Sequence, residues 1–244
     1  MTFDRHGIDH LSASSLNLWI ANPREWAVRY LAEDSEDADS PALWRGMAVE
    51  AGLGHWWAGR SIDQAQAAAC DTFELNAVGD LSDDVDAERG LIESMLDRAC
   101  RWTAPGALTA TQVRIEHWLD DVPVPLIGFV DFAFDSAIDV DLKTTRACPS
   151  TPRGNHVRQV ALYRAARGRR GGLLYVTAKR LAFFEISDED ASSALATLRA
   201  AALSLSQFLA KVGSAEEALA CLPYNPDDFR TTPPAPIDAS QITE

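Results

Sequence analysis

The sequence predicts an α/β protein: a central mixed β-sheet flanked by helices, with a helical N-terminal region. Two observations carry this. Residues 11–102 read as successive helices, whereas residues 111–186 hold β-type runs arranged around one further helix. At 244 residues the chain can bury one full core. One domain is expected over residues 1–221, with its helical part at about 11–102 and its sheet core at about 111–212. Residues 222–244 are rich in proline and polar residues and read as a tail.

Composition excludes several classes. Apolar residues make up 47% and charged residues 24%, as in a chain that folds and far from a disordered one. The formal charge of −14, from 22 basic and 36 acidic residues, argues as a sum against a nucleic-acid partner. Distribution argues the other way. Acids concentrate at 33–39, 80–88 and 187–190, while basic residues cluster at 153–170 and again at Lys179 and Arg180, so an acidic protein with one basic groove is expected. The plainer reading is that these arginines solvate a helix. The four cysteines, Cys70, Cys100, Cys148 and Cys221, form no C-x-x-C pair and suggest neither a zinc knuckle nor a disulfide framework. Reduced thiols, the lack of an apolar run of membrane-spanning length and an N-terminus unlike a signal peptide together indicate a cytoplasmic protein with no membrane partner.

Taken in order, residues 11–31 open with serines suited to capping a helix with apolar positions at Leu16, Trp19 and Ile20. Asn22-Pro23 interrupts it, and a second helix carries Trp26 and Tyr30. An acidic loop at 33–40 precedes a helix at 43–59 that contains Glu50 and His55. Two amphipathic stretches, 63–75 and 85–102, read as helices without chemistry of their own, separated by a turn at 79–84. Residues 111–119 alternate as a strand, with Val113, Ile115 and His117 on one face and Arg114, Glu116 and Trp118 on the other. Residues 151–168 form a helix with Pro152 in its first turn. A second hairpin at 171–186 turns near 177–180, and a long helix at 187–212 is capped by Ser187.

The chemistry lies in residues 126–145, LIGFVDFAFDSAIDVDLKTT, two β-type runs joined by the polar break Asp135-Ser136-Ala137. On the second run Asp139, Asp141 and Lys143 share one face and Ile138, Val140 and Leu142 the other, so an apolar buried face backs an acidic one tipped by lysine. A tight hairpin brings Asp131 and Asp141 close enough to share a divalent cation. Two hard oxygen ligands beside a lysine suit Mg2+ and phosphate chemistry.

The order Gly128-Phe129-Val130-Asp131, then Asp141-Leu142-Lys143-Thr144, resembles the PD-(D/E)XK nucleases, and within them the RecB-like and lambda-exonuclease-like branch. Two further matches extend the resemblance. Arg45-Gly46-Met47-Ala48-Val49-Glu50 fits the first motif, with Glu50 where many members carry histidine, and Gln159 and Tyr163 fit the Q-x-x-x-Y motif. The resemblance implies a restriction-endonuclease-like core and a metal-dependent deoxyribonuclease, an exonuclease more than an endonuclease, acting in recombination, repair or phage replication. Glu50, Asp131, Asp141 and the Leu142 carbonyl would hold Mg2+ or Mn2+, with Glu116 as an acid linked to those ligands or an ordinary surface ion pair. Lys143 would act on the attacking water and the phosphate, while Gln159, Tyr163, Arg153, Arg158 and Arg164 would position the DNA. Cluster-bearing relatives place a cysteine before the proline where this chain has Asn22, so no iron-sulfur cluster is expected. DNA is the implied partner, with a recombination or single-strand-binding protein as a further one. The rivals are a catalytically weak member that only binds DNA or a recombination partner, and an acidic interaction protein that mimics DNA and has neither metal nor basic cleft.

Overall fold

The structure, a computed structural model, describes residues 2–32, 40–80 and 82–223. Most of the expected acidic loop at 33–40, Leu81 and residues 224–244 of the tail lie outside the described residues.

Serine and asparagine set the first helices. Ser12 and Ser15 form a reciprocal capping box at the start of α1 (Ala13–Ala21). Asn22 then ends α1 and caps α2 (Pro23–Leu31), its Oδ1 accepting from Glu25 N at 3.1 Å while Pro23 takes the first helical position. Leu16 and Trp19 are buried as expected, but Ile20 is exposed. Next come α3 (Pro41–Trp57), α4 (Ile62–Asn76) and α5 (Asp83–Cys100).

The sheet follows as β1 (Leu108–His117), β2 (Leu126–Phe134) and β3 (Ile138–Thr144), then α6 (Gly154–Arg167), β4 (Arg170–Val176) and β5 (Leu181–Glu185). Strand order is β1-β2-β3-β4-β5, antiparallel except where α6 connects β3 to its parallel neighbour β4. After β5 come α7 (Asp188–Leu209), capped by Ser187, and the short α8 (Ala215–Cys221), for which the sequence pattern predicts no element. Two boundaries move. β1 begins at Leu108 rather than 111, and α6 begins at Gly154 with Arg153 as its cap, so Pro152 precedes the helix instead of sitting in its first turn.

Helices cover both faces of the sheet. On one, α3, α4 and α5 pack on Phe132, Phe134, Val140, Leu142 and Leu174, with Trp57 edge-on to Phe132 at 4.7 Å. On the other lie α6 and, behind it, α1, α2, α7 and α8. The acidic face of β3 is buried as well as the apolar one. Asp139 and Asp141 are 2% and 1% exposed, since α6 lies over them.

Burial forces each acid to find a partner. Asp139 takes two, Arg167 at 2.6 Å and Arg169 at 2.9 Å. Glu88 of α5 accepts from buried Arg45 of α3 and from Arg146, and Arg45 also donates to the Thr144 carbonyl at 3.2 Å. This network ties α3 and α5 to the residue after Lys143, so α5 supports the site without touching it. Glu88→Ala strands Arg45 as a buried unpaired cation. Chemical denaturation is expected to show a loss of about 3–5 kcal/mol, with Arg146→Ala costing far less because its side chain is 66% exposed.

Candidate active site

The β2–β3 hairpin pairs Phe132 with Val140 and Ala133 with Asp139. The same register carried one step further sets Asp131 opposite Asp141. There a side chain replaces the ladder, Asp131 Oδ2 accepting from Leu142 N at 2.7 Å. Asp141, on the face covered by α6, stands 2.9 Å from Lys143 Nζ. Lys143 Nζ also donates to Gln159 Oε1 at 2.9 Å, and Gln159 Nε2 donates to the Tyr163 hydroxyl at 2.6 Å. One chain of contacts thus runs from Asp141 through Lys143 and Gln159 to Tyr163. The expected one-face placement of Gln159 and Tyr163 holds, and the glycine before Asp131 has a steric reason. A Cβ on Gly128 would meet Tyr163 Cε1 at 3.2 Å.

Glu50 reaches the group from α3, which approaches β3 closely: a Cβ on Gly46 would meet Thr144 Oγ1 at 3.3 Å. The Glu50 carboxylate accepts a hydrogen bond from Gln112 of β1 and feels the charges of Asp141 and Lys143.

These acids interact strongly. Burial pushes the Asp131 carboxyl well above the usual carboxylate range, and Asp141 and Glu50 push it further. Asp141 is raised by burial against the pull of Lys143, and Glu50 is raised by burial against the Gln112 hydrogen bond. Burial works against the Lys143 ammonium, but the Asp141 and Asp131 charges outweigh it and hold its pKa above that of an ordinary lysine. Burial raises the Tyr163 phenol, which stays a neutral donor.

Three acids therefore share one close cation, and both Asp141 oxygens, although buried, accept no well-directed hydrogen bond. A hard divalent cation fits such a donor set. Among the described residues no three His, Cys, Asp or Glu side chains form a ready-made metal cage, so Asp131, Asp141 and Glu50 are neighbours in charge rather than a closed cluster. Leu142 pairs with Leu174 on β4, and its N–H is the donor to Asp131.

Two clefts open on the group from different sides, one at Lys143 and one at Glu50. One, of roughly 500 Å3 between α1–α2 and α6, is lined by Asn17, Arg29, Lys143, His156, Arg158 and Gln159. The other, of roughly 770 Å3 between α3 and β1, is lined by Glu50, His55, Arg60, Gln112 and Phe132 among others. Arg158 is held in the first cleft by its Nε bond to Asn17 Oδ1 at 2.5 Å. Arg153 caps α6 at the same end, its main-chain N–H donating to the Tyr175 hydroxyl. Arg164 is not brought there; it donates to the Ile186 carbonyl and pairs with Asp188, fastening α6 to α7. Arg167, Arg169 and Arg170 likewise pair with Asp139 and Glu185. The basic run in sequence is thus mostly structural. Glu116 is also placed elsewhere: exposed, paired with Arg114 at 3.2 Å and opposite Ile127, roughly 13 Å along the ladder from Asp131 at 3.3 Å per residue.

Sequence reading missed two groups. His156 hydrogen-bonds the Tyr175 hydroxyl at 2.7 Å, and its pKa is lowered to about 4 by burial and then by Lys143 and Arg153, so it is neutral at physiological pH. Its spacing of three from Gln159 on one helix was the available signal. Gln112 gave none, because the alternation of β1 says nothing about which residue meets α3.

A carboxylate pair beside a lysine thus lies on a five-stranded mixed sheet between helical layers. The PD-(D/E)XK nuclease superfamily model matches residues 10–234, and the chain belongs to that superfamily. Among solved structures, a candidate exonuclease from Eubacterium rectale superposes with a TM-score of 0.54 at 16% identity, over 82% of each chain, and shares the fold. The structure of SSO0001 matches at 24% identity and a TM-score of 0.33 over 39% of this chain, and this chain spans about half (49%) of that one. LHK-Exo in complex with dAMP matches at 13% identity and a TM-score of 0.36, over 68% of this chain and 93% of its own. No curated protein matches.

The raised carboxyls give a signed expectation. A carboxyl that holds its proton more tightly when folded opposes folding once ionised. That penalty is complete above the folded pKa and vanishes as pH falls to the unfolded value. Asp131→Asn, which keeps an acceptor for Leu142 N, should raise the thermal midpoint of the metal-free protein at pH 7, by about 2–4 °C for each kcal/mol relieved. The gap from wild type should close as the melts are repeated toward about pH 4.

Proposed function

We propose that the protein is a divalent-cation-dependent deoxyribonuclease that hydrolyses phosphodiester bonds, acting from DNA ends more than internally. The observation that carries this is Lys143, held between Asp141 and Gln159 beside a second, half-buried carboxylate, Asp131. Asp131, Asp141, Glu50 and the Leu142 carbonyl would hold Mg2+ or Mn2+. When bound, that ion supplies charge neutralisation at the phosphate and a more acidic water.

The remaining work belongs to the chain itself. Lys143 keeps its proton, which favours orienting the attacking water and offsetting charge on the phosphate over removing a proton. Gln159 fixes the ammonium, since its carbonyl oxygen accepts from Lys143 while its amide donates to Tyr163. Arg158 lines the cleft that opens on Lys143 and Arg153 is the N-cap of α6, the helix that carries Arg158; both would contact the strand's phosphates. One nuclease domain over residues 1–221, a cytoplasmic site of action and a role in recombination, repair or phage replication complete the reading.

End-labelled linear DNA and closed circular DNA, incubated with Mg2+, Mn2+ or chelator, provide the test. Linear DNA should shorten from its ends only with metal, and Lys143→Ala should slow this by roughly 10²–10³-fold. Linear DNA left intact under every metal would sink the nuclease reading, and equal cutting of circles would sink the preference for ends.

A further inference from the structure

Three non-glycine residues among those described have positive φ: Gln112 (49°), Asp121 (63°) and Ala137 (60°). Asp121 and Ala137 occupy turns, where such a conformation is ordinary. Gln112 lies inside a strand. Its neighbours Thr111 and Val113 pair with Phe132 and Val130, so it falls opposite Asp131 in the β1–β2 register. A left-handed residue within a strand is costly for side chains other than glycine and, to a lesser degree, asparagine or aspartate, and persists where the surroundings impose it.

Two things happen at this point. Val130 and Ile115 pack into the core beneath α6, whereas Phe132, two positions on from Val130, packs beneath α3, so the hairpin changes the core it serves at Asp131. The Gln112 side-chain amide also donates to Glu50, the acid that α3 contributes from across the larger cleft. A change of core alone asks nothing of the side chain. The contact with Glu50 does, because it needs an amide donor of glutamine's length at this backbone position.

We infer that Gln112 is a positioning residue: its strained backbone is retained so that its side chain fixes the Glu50 carboxylate toward Asp131 and Asp141. The inference rests on the reading of those three acids as the cation-binding group. Strain kept for a site and strain kept for folding respond differently to substitution. Glycine relieves the left-handed conformation and removes the amide in one step. Asparagine tolerates the same conformation, yet is one methylene too short to hold Glu50 in the same place.

The experiment measures thermal midpoints without metal, Mn2+ binding by calorimetry without DNA, and steady-state kinetics, for wild type, Gln112→Gly and Gln112→Asn. Both variants should melt no lower than wild type, with Gln112→Gly higher by about 2 °C. Both should bind Mn2+ roughly 10-fold more weakly and lose kcat, with KM for DNA unchanged. Mn2+ affinity and kcat equal to wild type would confine Gln112 to shaping the hairpin and overturn the inference. Midpoints that fall in both variants would overturn it as well, because the residue would then be holding the fold. Wild type that neither binds Mn2+ nor cleaves DNA overturns the nuclease reading together with it, whereas active wild type with unchanged variants overturns the positioning role alone.

Discussion

The hydrogen bond from Leu142 N to Asp131 Oδ2 is where sheet and site become one object. It takes the place of a ladder contact at the step where Asp131 faces Asp141, so strand pairing itself sets the separation of the two carboxylates. A helix on each face then removes water, and the low local dielectric makes three neighbouring acids depend on the few cations within reach. Lys143 is such a cation, and α6 delivers its anchor, Gln159. The layers cannot slide independently without breaking this arrangement. Arg45 and Glu88 lock α3 to the end of β3, and the Lys143–Gln159 hydrogen bond locks α6 to the other face.

Two buried aspartates on β3 illustrate how context separates chemistry from structure. Asp139 and Asp141 share a face and are equally hidden. Asp139 is enclosed by two guanidinium groups whose charge and directed hydrogen bonds satisfy it. Asp141 has an ammonium to one side and the Tyr163 hydroxyl near it, and neither oxygen accepts a well-directed hydrogen bond. The first has no capacity left for a ligand. The second has charge and lone pairs to offer a metal or a phosphate-bound water. The acidic overall balance of the chain is no obstacle to the proposed function, in which the strand would meet the cleft at Lys143 and Arg158.

The clefts on either side of the acids are unlike. The one at Lys143 is bordered by arginines and by a histidine that burial keeps uncharged, a surface suited to a phosphate backbone. The one at Glu50 runs between α3 and the exposed strand β1, with Phe132 and Met47 in its wall beside His55 and Arg60. Glu50 and Lys143 therefore approach the same carboxylates from different solvent faces, and Gln112 stands on the Glu50 side.

By itself the sequence determined what depends on local periodicity and on residues close in the chain. The helix starts at Ser12, Asn22 and Ser187, the alternation of β1, the hairpin that joins Asp131 to Asp141, and the pairing of Gln159 with Tyr163 follow from caps, side-chain alternation and helical spacing. These are short-range consequences of backbone geometry, and the motif order they carry pointed to the superfamily. Tertiary structure alone decided which charges remain available. Arg164, Arg167, Arg169 and Arg170 look like a nucleic-acid patch in the chain, yet each finds an acid or carbonyl at a distance no spacing rule reports. Glu116 and Gln112 lie four residues apart on one strand, and only the packing of α3 against β1 selects Gln112 as the neighbour of Glu50. Partnering of buried charge is a property of the packed layers, since desolvation acts once the helices close over the sheet.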